Sequence, residues 1–499
     1  MDLLQNLALS AILVILVFIS EQLHSWINTP EITRYGVALS RKAPGTLPFL
    51  GNGIKFIQPR QNLFDWFTKC IHLHGRETLL ITVPSLPPGV IISDPANLDF
   101  VFKNEPIFQK GAFFKARLND LFGNGIVNSD GDQWKRQRKV GVQLLAGANM
   151  NIVTGHELPA ILGKTIRHLT KRADTTEIVD LDASILEITT QLISKMVYGV
   201  ELQSHDSFTQ AFDYSAGVVS ERFQNPLWRF TEIFSGFRFQ RALKLIKTRG
   251  VQLVSHSLLT KDSDICFGST DLRRASKGFL KGLLKALGDD GLVAESALNF
   301  LSAGRDTTAQ ALSWTFYLLM RHPRVACKIR ELMGASSTRH SPSQPSHGEP
   351  SPEAVAYTTA VFYETIRLYP PIPFEIKQAQ SDVLLPDGTL LPSKSIVVWC
   401  TWAMNRSKDT WGEDASDFRP ERWLVDGRMR YREAAEFPVF QGGPRLCLGK
   451  KMAEMVAVQV ILELVSLFNF SPAYEGEKVS RNHLTLPMEG GLKVYVEKL

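Results

Sequence analysis

The chain is poor in cysteine, and what it has is not arranged as a framework. Cys70, Cys266, Cys327, Cys400 and Cys447 are odd in number, and no Cys-x-x-Cys spacing occurs. That excludes a disulfide scaffold and a zinc ribbon, and it suits a reducing compartment. Long runs of lysine or arginine are absent, although the net charge is +6. Nucleic acid is therefore a poor partner, and an acidic protein or an anionic lipid surface fits better. No internal repeat is visible, and no glycine-rich dinucleotide or flavin fingerprint is evident. If the chemistry is redox chemistry, its electrons have to come from a separate protein.

What is present is ordinary in bulk, with 44% hydrophobic and 21% charged residues in 499. The chain is long enough to enclose a cofactor. Residues Leu7 to Ile19 are apolar, and the stretch starts at Leu3 if Gln5 and Asn6 are tolerated. No Lys or Arg precedes it, while Arg34, Arg41 and Lys42 follow. This predicts an uncleaved single-pass anchor over residues 1–22 with the body on the cytosolic side. A signal peptide would need a basic start and a small-residue cleavage site, and a transit peptide would be rich in Arg; neither pattern is present. Residues 23–52 read as a linker ending in a stiff turn, Arg41-Lys42-Ala43-Pro44-Gly45-Thr46-Leu47-Pro48. Residues 53–499 read as one body.

Within that body, 78–83, 90–92, 383–385, 396–398 and 492–496 read as short strands, and helical patterns dominate from Asp132 to Met333. The Ser-, Pro- and His-rich stretch 336–352 reads as a surface excursion. The fold class is mainly α with a small β region.

Chemistry concentrates at Phe440-Gln441-Gly442-Gly443-Pro444-Arg445-Leu446-Cys447-Leu448-Gly449. An isolated Cys beside Gly and Pro is ordinarily a small buried loop residue. Here it opens an amphipathic helix carrying Met452, Val456 and Val460. The helix N-terminus favours a thiolate over a thiol, and the glycines let the backbone approach a flat cofactor. A thiolate ligand on haem iron promotes O–O cleavage. The F-x-x-G-x-R-x-C-x-G pattern resembles that of the haem-thiolate monooxygenases, the cytochrome P450 family.

Other segments fit the same reading. Ala303-Gly304-Arg305-Asp306-Thr307-Thr308 lies in a helical pattern from Leu292 to Met320. Gly304 and the two threonines predict a local opening of that helix, with Asp306 and Thr307 as an acid–alcohol pair for proton delivery. Glu364 and Arg367 are three apart on one helix face, followed by Arg422 in Pro420-Glu421-Arg422-Trp423. Trp134 and Arg138 are four apart in a basic helix start, with an N–H and a guanidinium on one face suited to carboxylates.

The resemblance implies a cytochrome P450 fold holding haem b. Cys447 would be the axial iron ligand. Trp134, Arg138 and Arg445 would contact propionates, and Phe440 and Gly443 would also bind the haem. Glu364, Arg367 and Arg422 would form a structural triad. Lys377 stands where the family often has a propionate-binding Arg, and lysine cannot fork. The implied partners are NADPH–cytochrome P450 reductase, cytochrome b5 and membrane lipid. Lys135, Lys139, Lys450 and Lys451 would form the docking face, and the implied location is the endoplasmic reticulum membrane. The segments around Lys110–Leu118, Asp120–Gly131 and Leu484–Leu492 are similar to the branch that hydroxylates fatty acids and n-alkanes in fungi and plants. The first is read as a loop. Three alternatives stand beside that reading: fungal polyketide-type tailoring, a haem isomerase or dehydratase, and a non-catalytic haem- or lipid-binding protein. An intact Asp306–Thr307 pair argues against the last two.

Overall fold

Eleven helices position the site: α1 Arg60–His74, α2 Pro95–Lys103, α3 Gly111–Phe122, α4 Gly131–Leu144, α5 Leu181–Tyr198, α6 Ser207–Glu221, α7 Phe237–Leu259, α8 Leu272–Leu287, α9 Asp290–Arg321, α10 Pro352–Leu368 and α11 Lys450–Leu467. The computed structural model describes residues 31–83, 87–225, 228–259, 272–337 and 350–499. The expected anchor lies outside the described residues, as do Cys266 and most of the excursion before Ser351. Among the described residues no helix is long and apolar enough to cross a membrane.

The central helix α9 is 32 residues long and is buried over most of its circumference. It starts where the Asp289 side chain accepts the Leu292 N–H at 2.8 Å, an N-cap that satisfies one of the free amides. It ends at Arg321, before His322-Pro323. Helices α5, α7, α8, α10 and α11 pack around it. Helix α10 begins with Ser351 capping Ala354 N–H at 3.0 Å and Pro352 in its first turn, and it stops before Pro370.

The β region is peripheral. Its largest sheet has five strands: β1 Leu79–Ile81, β2 Gly89–Ile91, β3 Phe108–Gln109, β4 Glu375–Ala379 and β5 Ile396–Trp399, in the order β1-β2-β5-β4-β3. Only β2 and β5 run parallel. A three-stranded sheet joins Phe468–Pro472, Lys493–Lys498 and Val179–Asp180.

Two expectations need correction. Residues 33–38, assigned to the linker, form a hairpin whose Thr33–Arg34 arm pairs with Thr389–Leu391. The folded body therefore begins well before residue 53. The Lys110–Leu118 segment is helical, because its apolar residues Leu118, Leu121 and Phe122 recur at helical spacing and are buried. Gly111 at its start has φ of +74°, and a Cβ there would collide with Gln378, so only glycine fits.

Candidate active site

A cavity of about 450 Å³ lies between α9, α4, the Cys447 loop and the turns around Phe374 and His483. Cys447, Thr307, Asp306, Trp134, Arg138, Lys377, Arg445 and Phe440 all line it. Eight of the residues singled out from the sequence, drawn from segments more than 300 positions apart, thus meet in one space. Gly443 and the Glu364 cluster lie outside the lining.

The Cys447 loop is held by its own backbone and by tight packing. Cys447 N–H donates to Phe440 O at 2.8 Å. Gly442 and Gly443 press on Phe102: a Cβ on Gly442 would meet the Phe102 ring at 2.3 Å, and one on Gly443, at φ +57°, would meet its carbonyl. Gly443, expected to bind the cofactor, is packed on Phe102 instead and does not line the cavity. Burial in the surrounding protein pushes the Cys447 thiol up. The amides of Gly449 and Lys450 and the charges of Arg138 and Lys450 oppose it by favouring the thiolate.

Two arginines approach this loop. Arg138 Nη1 donates to Leu446 O at 2.9 Å, and its guanidinium lies 5.4 Å from the Trp134 ring centre. Burial lowers its pKa, as does the Arg445 charge, while Cys447 raises it. Arg445 stacks on the same indole at 3.9 Å. Its Nε and Nη2 donate to Glu105 at 2.9 and 2.6 Å, Nη2 also to Asp130 at 2.8 Å, and Nη1 to Ser129 O at 3.0 Å. Of its five N–H groups one is left for another acceptor. Asp130 stays below the usual carboxylate range. Burial pushes it up, but the Lys115 ammonium, the Lys110 N–H and the Arg445 charge pull it further down. Neither Glu105 nor Asp130 carries a sequence signal that separates it from a surface acid.

Lys377 sits in β4 opposite Val397 and is 4% exposed. Its ammonium makes no hydrogen bond or ion pair among the described residues. Burial, and then the nearby Lys110 charge, push its pKa down to about 7; Glu375 opposes and Arg445 adds to the shift. A buried cation without a partner, facing a cavity, is a place for an anion.

On the opposite wall α9 remains an unbroken α-helix through residues 303–308. The expected opening is absent, because Thr307 Oγ1 donates to Ala303 O at 2.6 Å alongside the helix bonds instead of displacing them. Gly304 packs closely on α5: a Cβ there would lie 3.0 Å from the Ile193 side chain, which would have to shift by a few tenths of an ångström. Thr307 is half-buried at the cavity edge. Asp306 is buried, with Arg305 Nη1 3.0 Å from its Oδ1. Arg305 also grips Asp213 at 2.5 and 3.0 Å and donates through Nε to Thr190 at 2.9 Å. Burial pushes the Asp306 carboxyl up to about 6; the Asp213 charge adds to this, and Arg305 and Arg481 oppose it. Neither this role of Arg305 nor the part of Asp213 carries a signal in the sequence.

Glu364, Arg367 and Arg422 lie together in one buried cluster. Arg367 binds both oxygens of Glu364 at 2.8 Å, and Arg422 Nε donates to Glu364 at 2.9 Å. Trp423 Nε1 and Arg419 N–H add bonds at 2.9 Å. Arg367 also ties down the carbonyls of Asn405, Ala415 and Asp417. Trp423 packs on Phe437, just before the Cys447 loop, with ring centres 4.9 Å apart.

This geometry can be set beside known proteins. The sequence profile described as Cytochrome P450 matches residues 42–493. The chain belongs to the cytochrome P450 family. Cytochrome P450 86B1 of Arabidopsis thaliana is 30% identical over 483 residues, covering 90% of this chain and 84% of its own. Cytochrome P450 94A1 of Vicia sativa is 28% identical over 479 residues, 91% of this chain and 90% of that protein. Cytochrome P450 704B1 of Arabidopsis thaliana is 28% identical, covering 92% and 95%. These relatives are plant proteins, and they lend no support to a fungal alkane-hydroxylase branch. Cytochromes P450 are monooxygenases that use haem b and electrons from NADPH delivered by a reductase. The residues present fit haem: a thiol opens onto the cavity, and the unpartnered Lys377 ammonium offers a buried charge to a propionate.

Proposed function

We propose that this cytochrome P450 inserts one oxygen atom into a C–H bond of an aliphatic or amphipathic substrate, a long-chain fatty acid or lipid-like molecule. The observation that carries this reading is the shared cavity. Cys447 and Thr307 face it together with Phe113, Phe114, Leu118, Phe300, Ile372 and Phe374. A wall of that kind favours apolar chains through burial rather than polar contacts.

Haem bound through Cys447 supplies dioxygen activation. The chain's own residues do the rest. Lys377, Arg138 and the remaining donor of Arg445 would hold the propionates, and Trp134 would offer its indole N–H. Asp306, its carboxyl raised to about 6, takes up and gives a proton close to neutral pH. Thr307 Oγ1, fixed by its bond to Ala303, keeps its lone pairs toward the cavity, where it can accept a water or pass a proton. No hydrogen bond joins Asp306 to Thr307 among the described residues, so a water bridges them in this scheme. Glu364, Arg367 and Arg422 brace the backbone beneath the loop.

The exposed Lys135, Lys139 and Lys451, with the partly exposed Lys450, form the docking surface for the reductase and for cytochrome b5. The apolar N-terminal segment holds the protein to the endoplasmic reticulum membrane with this body in the cytosol. The test is a substrate screen on the holoenzyme with reductase and NADPH, using fatty acids, alkanes and polyketide-like acids. Hydroxylated fatty acids or alkanes are the expected products. Turnover of the polyketide-like acids alone contradicts the aliphatic reading.

A further inference from the structure

Arg60, at the N-terminus of α1, lines the same cavity as Cys447 and is 5% exposed. All of its hydrogen bonds leave from one nitrogen. Nη1 donates to the carbonyls of His483 and Thr485 at 2.5 Å each and to Arg481 O at 3.4 Å. Nε is buried with no partner. Nη2 makes no hydrogen bond, and no carboxylate pairs with the guanidinium, among the described residues. The free Nε–Nη2 edge is the face with which arginine binds carboxylates through two parallel bonds.

The surroundings offer no internal anion. Phe64 and Phe374 lie with ring centres 5.4 and 5.8 Å from the guanidinium carbon. Burial pushes the Cys400 thiol up to about 12 and, with the charges of Arg481 and Arg60, pushes His483 down to about 3, so both are neutral at physiological pH. Burial lowers Arg60 itself to about 9, which still leaves it cationic there. A buried cation with three of its five N–H donors unused costs stability unless an anion completes it.

We propose that the free edge of Arg60 binds the carboxylate of the substrate. This rests on the reading of an amphipathic substrate given above and narrows it to acids. Arg60 is fixed to the Arg481–Thr485 turn, whereas Cys447 sits on the Phe440–Gly449 loop. An acid group seated at the first leaves the alkyl chain, rather than the carboxyl end, to reach the second.

Spectral binding titrations of the holoenzyme with dodecanoic acid, methyl dodecanoate and dodecane test this. The wild type is expected to bind the acid about tenfold or more tightly than the ester, the effect of a charge-assisted pair. Arg60→Gln is expected to lose that preference while the ester affinity stays the same, and Arg60→Lys to keep part of it. Equal affinity for acid and ester in the wild type overturns the assignment and leaves the aliphatic reading intact. So does an equal loss for acid and ester in Arg60→Gln, which marks a purely structural role. If none of the three compounds binds, the aliphatic reading fails and the assignment goes with it. Should Arg60→Gln not retain haem, the wild-type comparison and Arg60→Lys decide.

Discussion

Arg305 and Asp306, neighbours in the chain, are ion-paired at 3.0 Å inside the central helix, and the same guanidinium holds Asp213 at 2.5 Å. The proposed proton donor is thus one of two carboxylates sharing one buried cation. Asp213 works against ionisation of Asp306, and Arg305 works for it.

The balance has a signed consequence. The Asp306 carboxyl is raised to about 6, so its protonated form dominates below that value. The stability that comes from burying it neutral is complete below the ordinary carboxylate range and is lost as pH rises through about 6. Asp213→Asn removes the like charge and should move the high-pH limb of coupled turnover to lower pH. Arg305→Met should move it higher. The pH profile of product formed per NADPH checks both directions.

Thr307→Ala removes the hydroxyl that faces the cavity and leaves the helix bonds in place. The expected result is continued NADPH oxidation with product per NADPH down about tenfold or more, within the range of general acid contributions. Unchanged coupling removes Thr307 from proton delivery.

Lys377 is held down at about 7 by burial, so without an anion it begins to lose its proton near neutrality. In the haem-free fold this group contributes stability in full above the ordinary lysine range, and that contribution is lost as pH falls through about 7. A propionate reverses the preference by favouring the ammonium. Haem retention should therefore weaken as pH rises above about 7, and Lys377→Met should lower it and flatten that dependence. Lys377→Arg should hold haem at high pH. The rate of haem loss to excess apomyoglobin measures this.

Glu364 is completely buried with Arg367 and Arg422 on it. Glu364→Ala strands two buried cations and should cost about 3–5 kcal/mol. Glu364→Gln keeps an acceptor for Trp423 and should lose less. Denaturant unfolding of the holoprotein separates them.

Much of this was legible in the chain because the motifs are local. The Cys447 loop, the pair at Glu364 and Arg367, and the helix carrying Asp306 each announce themselves within ten residues. Central helix and strand positions followed from apolar periodicity, with ends displaced by one or two residues. Strand β4 was missed because Glu375-Ile376-Lys377-Gln378-Ala379 lacks apolar alternation; it is buried on both faces with polar residues in it. The long-range partners were illegible for another reason. Asp213 lies 92 positions from Arg305, and Glu105 lies 340 from Arg445. Only the packing of α6 on α7 and of α7 on α9, and of α2 against the loop, brings each acid to its arginine. Arg60 looked like any surface arginine at a helix start. Its importance comes from the Arg481–Thr485 turn that closes over it.

The central claim is that Cys447 ligates haem iron as a thiolate. The most direct measurement is the spectrum of the reduced carbon monoxide complex of wild type and Cys447→Ala. The expected result is a Soret band at the long-wavelength position typical of thiolate-ligated haem in the wild type, lost in the variant. A wild-type band at the shorter wavelength of imidazole-ligated haem, or a band unchanged by Cys447→Ala, contradicts it.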